Sequence, residues 1–439
     1  METYRAERWH RTGRRVEPDS SSPRGAWKEP SRCGRRGNGY PARMSPEQDA
    51  VDVDAPLAVG VPAATHDASS EQVAIRDLAG LAPAARPARR WTPRRVVVTP
   101  AALDHPHGRQ IVTRVEGLGI EVERLRANRL TGVRGETDRE TYARAKSTMA
   151  IVVSPPSRRT LQPIAPSADW RVDLAEGCPA HCQYCYLAGS LSGPPVTRVY
   201  ADLDDILAGL AGYVGRGTVT SRSTARADEG TTFEASCYTD PLALEHLTGG
   251  WRRAVEHFGT WNAPVQLRWT TKFADVDGFV GLPHAGRTRI RFSINAAPIS
   301  GRFEGGTATG RDRLDALRRV ALDGYPVGLT IAPIMPVPNW QEHYGALLDE
   351  VRAAVAGVDR LDLTAELITH RFTPGSRDVL LGWYPRTRLE MDEQSRSRKF
   401  GRYGAVKYVY PAPAMRELRA WFERELAERL PACRLLYFT

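Results

Sequence analysis

From Trp170 onward the chain alternates between two hydrophobic patterns. Short runs rich in β-branched and aromatic residues, WRVDL, TTFEASC, VQLRWTT, TRIRFSI, VGLTIAPI and RLDLTAEL, read as strands. Between them apolar residues recur every three or four positions, in ADLDDILAGLAGYV, LALEHLTGGWRRAVEHF, RDRLDALRRVALDG and NWQEHYGALLDEVRAAVAG, and these stretches read as amphipathic helices. The last is expected to start on Asn339 as N-cap, with Glu342 three residues on. The one before it is expected to stop at LDGYP, where Gly324 and Pro326 stand in the usual places. Six β-then-α units in a row imply a parallel sheet, either open or curled into a partial barrel. In both, the chemistry sits at the C-terminal ends of the strands.

The flanks divide the 439 residues further. Residues 1–90 mix Arg, Pro, Ser and Gly with hardly any periodic apolar positions, so a disordered basic arm is expected there. Order is expected to begin with a strand at Val96–Val98 and to form a small α/β segment over 91–165, closed by the Pro-rich SPPSRR and QPIAPSADW. Residues 166–439 then hold the barrel with a C-terminal hairpin and helix extension. The net charge of +10 favours a polyanionic partner, although a basic tail accounts for much of it. No run of about 18 apolar residues suggests a membrane span, and METYRAERWHRTGRR lacks the apolar core of a secretory signal. A cytoplasmic protein is the expectation.

Three of the six cysteines, Cys178, Cys182 and Cys185, crowd one loop, CPAHCQYCYL, directly after the first expected strand. Cys33, Cys237 and Cys433 are scattered, which argues against a disulfide framework. The spacing C-x3-C-x2-C lets one loop wrap its sulfurs round a single centre. Structural zinc wants four ligands, and no fourth Cys or suitably spaced His lies nearby; His181 is adjacent to Cys182. A thioredoxin-like pair needs only C-x2-C. A [4Fe-4S] cluster normally takes four thiolates, so three leave one iron open to bind something reactive.

This loop closely resembles the signature of the radical S-adenosylmethionine superfamily. The resemblance implies an open iron chelated by S-adenosylmethionine and a 5′-deoxyadenosyl radical released by reductive cleavage. It also implies a partial (β/α)6 barrel, and an electron donor such as flavodoxin or ferredoxin. GCPAHCQYCYL, FEASCYTDPLALEHLT, RIRFSIN, GYPVGLTIAPI and GRYGAVKYVY together are similar, in order and nearly in spacing, to the spore photoproduct lyase family. That similarity spans about residues 95–410. It implies a carbon–carbon lyase that repairs a thymine-dimer lesion in ultraviolet-damaged DNA.

The resemblance gives roles to residues that are otherwise unremarkable. Cys237, which alone would pass for a small buried hydrophobe, matches the thiol that gives hydrogen to the product radical. Tyr184 and Tyr186, which flank Cys185, match groups that return the radical to the cofactor. Tyr184, Thr239, Lys272, Ser293 and Ala332 match cofactor contacts; from the residues alone Lys272 reads as a solvated charge, and Ser293 and Ala332 as core. Arg402, Tyr403 and Lys407, in a run that interleaves basic and aromatic residues, match a DNA-binding hairpin. Composition explains that run equally well as a hairpin with a polar face.

Three features depart from the family pattern. The 90-residue arm has no counterpart, GRGTVTSRSTARADEG around 215–230 is extra, and Tyr238 replaces a usually small residue beside Cys237. The alternative readings are a radical enzyme of the same scaffold acting on another DNA lesion or a small molecule, and a non-catalytic iron–sulfur protein that binds nucleic acid.

Overall fold

The computed structural model describes residues 90–439, except 192, 221 and 401–405. The expected basic arm up to residue 89, and the expected DNA contacts Arg402 and Tyr403, lie outside the described residues.

Strand Arg95–Val98 forms where expected, its three valines buried. It lies between Val122–Arg124 and Thr148–Val152, and Thr197–Tyr200 follows, all parallel. Ala175–Glu176 completes this five-stranded sheet in the antiparallel sense. Two of its strands therefore come from beyond residue 165, on either side of the cysteine loop, so the first sheet holds both ends of that loop.

The second sheet contains all six expected strands, at Ala168–Arg171, Thr231–Glu234, Val265–Thr271, Thr288–Ile294, Val327–Ile334 and Leu363–Thr369, side by side in that order and parallel. A seventh parallel strand, Cys433–Phe438, extends it beyond Leu363–Thr369, and Gln162–Ile164 caps the other edge antiparallel. Along these strands Leu267, Trp269, Ile290, Phe292, Leu329, Ile331, Ala365 and Leu367 are buried apolar residues. The alternate positions, Arg268, Arg291, Ser293, Thr330 and Glu366, are buried and polar. Strand side chains alternate between faces, so one face packs on helices and the other lines a polar interior. Arg268 and Glu366 stand three strands apart, about 14 Å if the sheet were flat. Their side chains nevertheless meet at 2.5 Å, so the sheet curls into a partial barrel. Arg291 pairs with both Glu366 and Glu234 across the same interior.

The extra 215–230 segment packs at the N-terminal ends of these strands. Asp169 accepts hydrogen bonds from the Val219 amide (2.7 Å) and the Thr220 hydroxyl (2.8 Å). Arg226 donates to the carbonyls of Pro166 and Ser167 at 2.8 and 2.9 Å, and Glu229 reaches Arg268 at 3.4 Å. The insertion thus supports the floor of the barrel, at the opposite end from the expected chemistry.

Two helix expectations need correction. LALEHLTGGWRRAVEHF is not one helix but two, Pro241–Thr248 and Gly250–Thr260. Gly249 separates them in the left-handed region (φ 65°), a conformation that glycine adopts without steric cost. Asn339 does not cap helix Trp340–Val355 through its side chain; it is itself left-handed (φ 55°) and makes no capping bond. Asn tolerates that conformation better than most residues, and it turns the chain out of Pro336 and Pro338. Gly324 does take the positive φ (89°) expected after helix Gly310–Leu322. Among the described residues no helix is long and apolar enough to cross a membrane.

Candidate radical site

The cysteine loop starts at Gly177, whose φ of 81° suits glycine. A Cβ there would lie 2.2 Å from the Val196 carbonyl oxygen, so no other residue fits without movement. The Thr239 hydroxyl donates to the Gly177 carbonyl at 2.6 Å. The Lys146 ammonium donates to the carbonyls of Cys178 (2.5 Å) and Ala180. His181–Cys182 then pairs antiparallel with Glu304–Gly305, and the Gln183 amide donates to the Phe303 carbonyl at 2.8 Å. The loop is therefore tied to three separate parts of the chain.

Cys178, Cys182 and Cys185 are all free thiols. Burial pushes Cys178 up to about 12 against the pull of Lys146, and pushes Cys182 up as well. Such thiols ionise when a cationic centre sits among them, because the centre supplies the charge that burial withholds. Among the described residues, no three His, Cys, Asp or Glu side chains converge as tightly as a single metal ion requires. Three thiolates from one loop make the donor set for three irons of a [4Fe-4S] cluster, which leaves the fourth iron open.

Beside the loop, four of the five expected cofactor contacts meet. The Lys272 ammonium, one residue past strand Val265–Thr271, donates to the Ser293 hydroxyl (2.8 Å), Glu304 (2.8 Å) and the Tyr184 hydroxyl (3.3 Å), and lies 3.5 Å from the Ala332 carbonyl. Tyr184 also donates to Glu304. Three adjacent strands thus deliver an ammonium, a hydroxyl and a carbonyl at their C-terminal ends, a set able to bind a carboxylate and an amino group. Thr239 stands apart from them, its hydroxyl committed to Gly177. Its neighbour Asp240 bonds the Lys272 amide at 2.7 Å and the Thr271 hydroxyl at 2.6 Å, so the same turn fixes both loop and lysine.

Two residues at the centre of this set carry no signal in the sequence. Glu304 is buried and also pairs with Arg313 at 2.5 Å, while Arg313 donates to the Ser293 carbonyl at 2.8 Å. Burial alone would raise the Glu304 carboxyl, but Arg313 and Lys272 hold it down to about 2. It is an anion that orients Lys272 and Tyr184.

Cys237 lies in a turn three residues past strand Thr231–Glu234 rather than within a strand, as TTFEASC had suggested. The chain leaves the sheet because Glu234 accepts from the Ser236 amide (3.2 Å) and hydroxyl. Burial, with Asp173 nearby, pushes the Cys237 thiol well above its ordinary value despite Arg171 and Arg158, so the sulfur keeps its hydrogen. The Tyr186 hydroxyl donates to the Cys237 carbonyl, joining the residue after Cys185 to the thiol turn. Tyr238 is buried between guanidinium groups, with Arg158 at 4.3 Å and Arg171 at 4.8 Å from its ring.

The expected hairpin is present. Ser397–Phe400 pairs antiparallel with Val406–Val409, which sets Lys399 directly opposite Lys407. Its base is anchored by Tyr408, whose amide donates to Phe372 at 2.7 Å and whose ring stacks on Phe372 at 5.3 Å. Phe400 is 66 % exposed.

Comparison with known proteins agrees with this geometry. The family described as Spore photoproduct lyase matches residues 91–439. The chain is 39 % identical to the spore photoproduct lyase of a Geobacillus species and 38 % identical to that of Bacillus subtilis; each match covers 80 % of this chain and 99 % of the relative. It is also similar to a solved spore photoproduct lyase mutant with bound AdoMet and dinucleoside spore photoproduct (TM-score 0.74, 37 % identity, 80 % of this chain and all of that one). A spore photoproduct lyase complexed with the dinucleoside lesion gives the same TM-score and coverage.

Proposed function

The chain belongs to the spore photoproduct lyase family, and from that premise we propose how its own residues divide the work of a radical lyase on thymine-dimer damage in DNA. Cys178, Cys182 and Cys185 would hold the [4Fe-4S] cluster, and Tyr184, Lys272, Ser293 and Ala332 would hold S-adenosylmethionine against it, while Thr239 fixes the cysteine loop through Gly177. Bound together, these two groups supply a carbon radical that abstracts hydrogen from the lesion.

Everything else is done by side chains. Glu304 and Arg313 fix the Lys272 ammonium, so the cofactor-binding groups need no rearrangement when the site fills. Cys237, kept protonated by burial, offers the hydrogen that quenches the thymine left when the dimer bond breaks. Tyr186 and Tyr184 lie on the way back from that thiol to the cofactor. A dimer must leave the base stack to reach a buried site, and the hairpin bearing Arg402, Tyr403 and Lys407 grips the DNA beside it. Lys399 stands opposite Lys407 across the two strands, so the hairpin presents basic residues suited to phosphate contact. The electron comes from a small carrier such as flavodoxin or ferredoxin.

The observation that carries this reading is the Tyr186 hydrogen bond, which ties the cysteine loop to the turn that carries the Cys237 thiol. The test is mass spectrometry of ultraviolet-irradiated DNA after anaerobic incubation with the reduced protein and cofactor. Loss of thymine dimers with matching recovery of thymine supports it. Cofactor cleavage that is indifferent to irradiated DNA would point to another substrate.

A further inference from the structure

The reaction needs an electron from outside, and one face of the cysteine loop is built differently from the rest. Gln183, between the second and third cysteines, is bonded on both sides. Its amide oxygen accepts from the Thr387 hydroxyl at 2.6 Å, and its amide nitrogen donates to the Arg302 carbonyl at 3.4 Å. These two bonds seat Arg302 and the segment Arg386–Arg388 beside Gln183. Arg386 and Arg388 are exposed, as is His181 between the first and second cysteines. Among the described residues no carboxylate pairs with any of the three arginines. Burial lowers the Arg302 guanidinium first and Arg388 lowers it second, the mark of like charges drawn together.

Behind this face an aromatic group packs against the loop. The Tyr142 hydroxyl bonds His181 Nδ1 at 2.9 Å and also bonds the Tyr384 hydroxyl. The Tyr142 ring stacks on Trp383 at 4.8 Å. Trp383 and Tyr384 are half-buried, so the group runs from the surface to the residues beside the sulfurs. Lys272 meets the loop through Tyr184, and Cys237 meets it through Tyr186, so cofactor and lesion are assigned to those residues. A carrier is therefore left with the Gln183 side, where unpaired positive charge would steer an acidic protein into a small, short-lived contact.

We propose that the surface formed by His181, Gln183, Arg302, Arg386 and Arg388 is the docking site of an acidic one-electron carrier protein. The inference rests on the radical-site reading above. In the step it serves, the carrier is oxidised by one electron and the cluster held by the three cysteines is reduced by one, with no bond made or broken in the protein.

The test uses the double variant Arg386→Glu, Arg388→Glu as holoenzyme, with reduced flavodoxin as probe. Cluster reduction is followed by stopped-flow absorbance and electron paramagnetic resonance, and flavodoxin binding is measured by titration. At low salt the variant is expected to lose roughly tenfold or more in both binding and reduction rate. Reduction by photoreduced deazaflavin, which needs no docking surface, and affinity for irradiated DNA are expected to stay at native values. Unchanged flavodoxin binding and rate would overturn the proposal, and so would a loss confined to DNA affinity, which would make these arginines phosphate contacts. If the native protein accepts electrons from neither reductant, the radical-site reading fails and takes the docking site with it.

Discussion

Tyr186 and Cys237 are 51 residues apart in sequence, yet the phenol of one donates a hydrogen bond to the carbonyl of the other. That contact fastens the turn carrying the thiol to the loop carrying the three cysteines. A neutral hydrogen bond of this kind contributes about 1 kcal/mol, so Tyr186→Phe should fold with little loss. Its kinetics should change more. The first turnover needs only the thiol, whereas later ones need the thiol restored, so multiple-turnover rates should fall further than the single-turnover rate. Equal reduction of both would assign Tyr186 to positioning alone.

Glu304 holds Lys272, Arg313 and Tyr184 together, and its loss should be expensive. Glu304→Gln leaves Lys272 and Arg313 facing each other without their shared anion, at a cost of about 3 kcal/mol or more. Its folded carboxyl sits at about 2 against an ordinary value of 4.5, so it stabilises the fold in full above about pH 4.5. That contribution fades as pH falls toward 2. Urea unfolding of native and variant proteins should therefore show a stability gap that narrows across this window. Titration calorimetry should also show weaker S-adenosylmethionine binding in the variant.

The cysteine loop predicts a sharp pattern of loss. Anaerobically reconstituted protein should carry about four irons and four sulfides. Cys178→Ala, Cys182→Ala and Cys185→Ala should each lose the visible absorption of the cluster together with cofactor cleavage. Cys433→Ala, on the edge strand of the barrel, should keep both. Iron analysis and absorbance spectroscopy decide the matter.

Much of this site was legible in the sequence, and the reason is physical. Six alternating strands in order, with the cysteines directly after the first, are local patterns, and each expected strand formed. Lys272, Ser293 and Ala332 could be picked out by family resemblance because each stands at or near a strand end. What stayed hidden depends on long-range contact. Glu304 sits in a two-residue strand that pairs, among the described residues, with the cysteine loop, and nothing local marks it as central. Cys237 was expected at the end of a strand because TTFEASC reads as one run; Glu234 and Ser236 end that strand early through side-chain bonds that composition does not reveal. The break at Gly249 was visible as two adjacent glycines but lay within an otherwise continuous apolar periodicity. The seventh barrel strand, Cys433–Phe438, joins its neighbour only after the 18-residue helix Ala412–Arg429.

The hairpin should act through charge. Arg402→Ala and Lys407→Ala should weaken binding to irradiated duplex and leave the cluster spectrum intact. Each should flatten the salt dependence of binding by roughly one unit of slope. Fluorescence anisotropy across a salt series, repeated on protein starting near residue 91 to remove the basic arm, measures this. Unchanged affinity and slope in both variants would take the hairpin out of the DNA interface.

The hydrogen-donor role of Cys237 is the central claim, and product analysis of Cys237→Ala tests it most directly. This variant retains every cluster and cofactor ligand, so it should assemble the cluster and cleave S-adenosylmethionine. A mere core residue truncated to Ala would cost about 1–2 kcal/mol and leave the products unchanged. Chromatography and mass spectrometry of the repaired dinucleoside should instead show abnormal adducts in place of restored thymines, because the thymine radical finds no thiol. Clean thymine formed by the variant at the native rate would contradict the account.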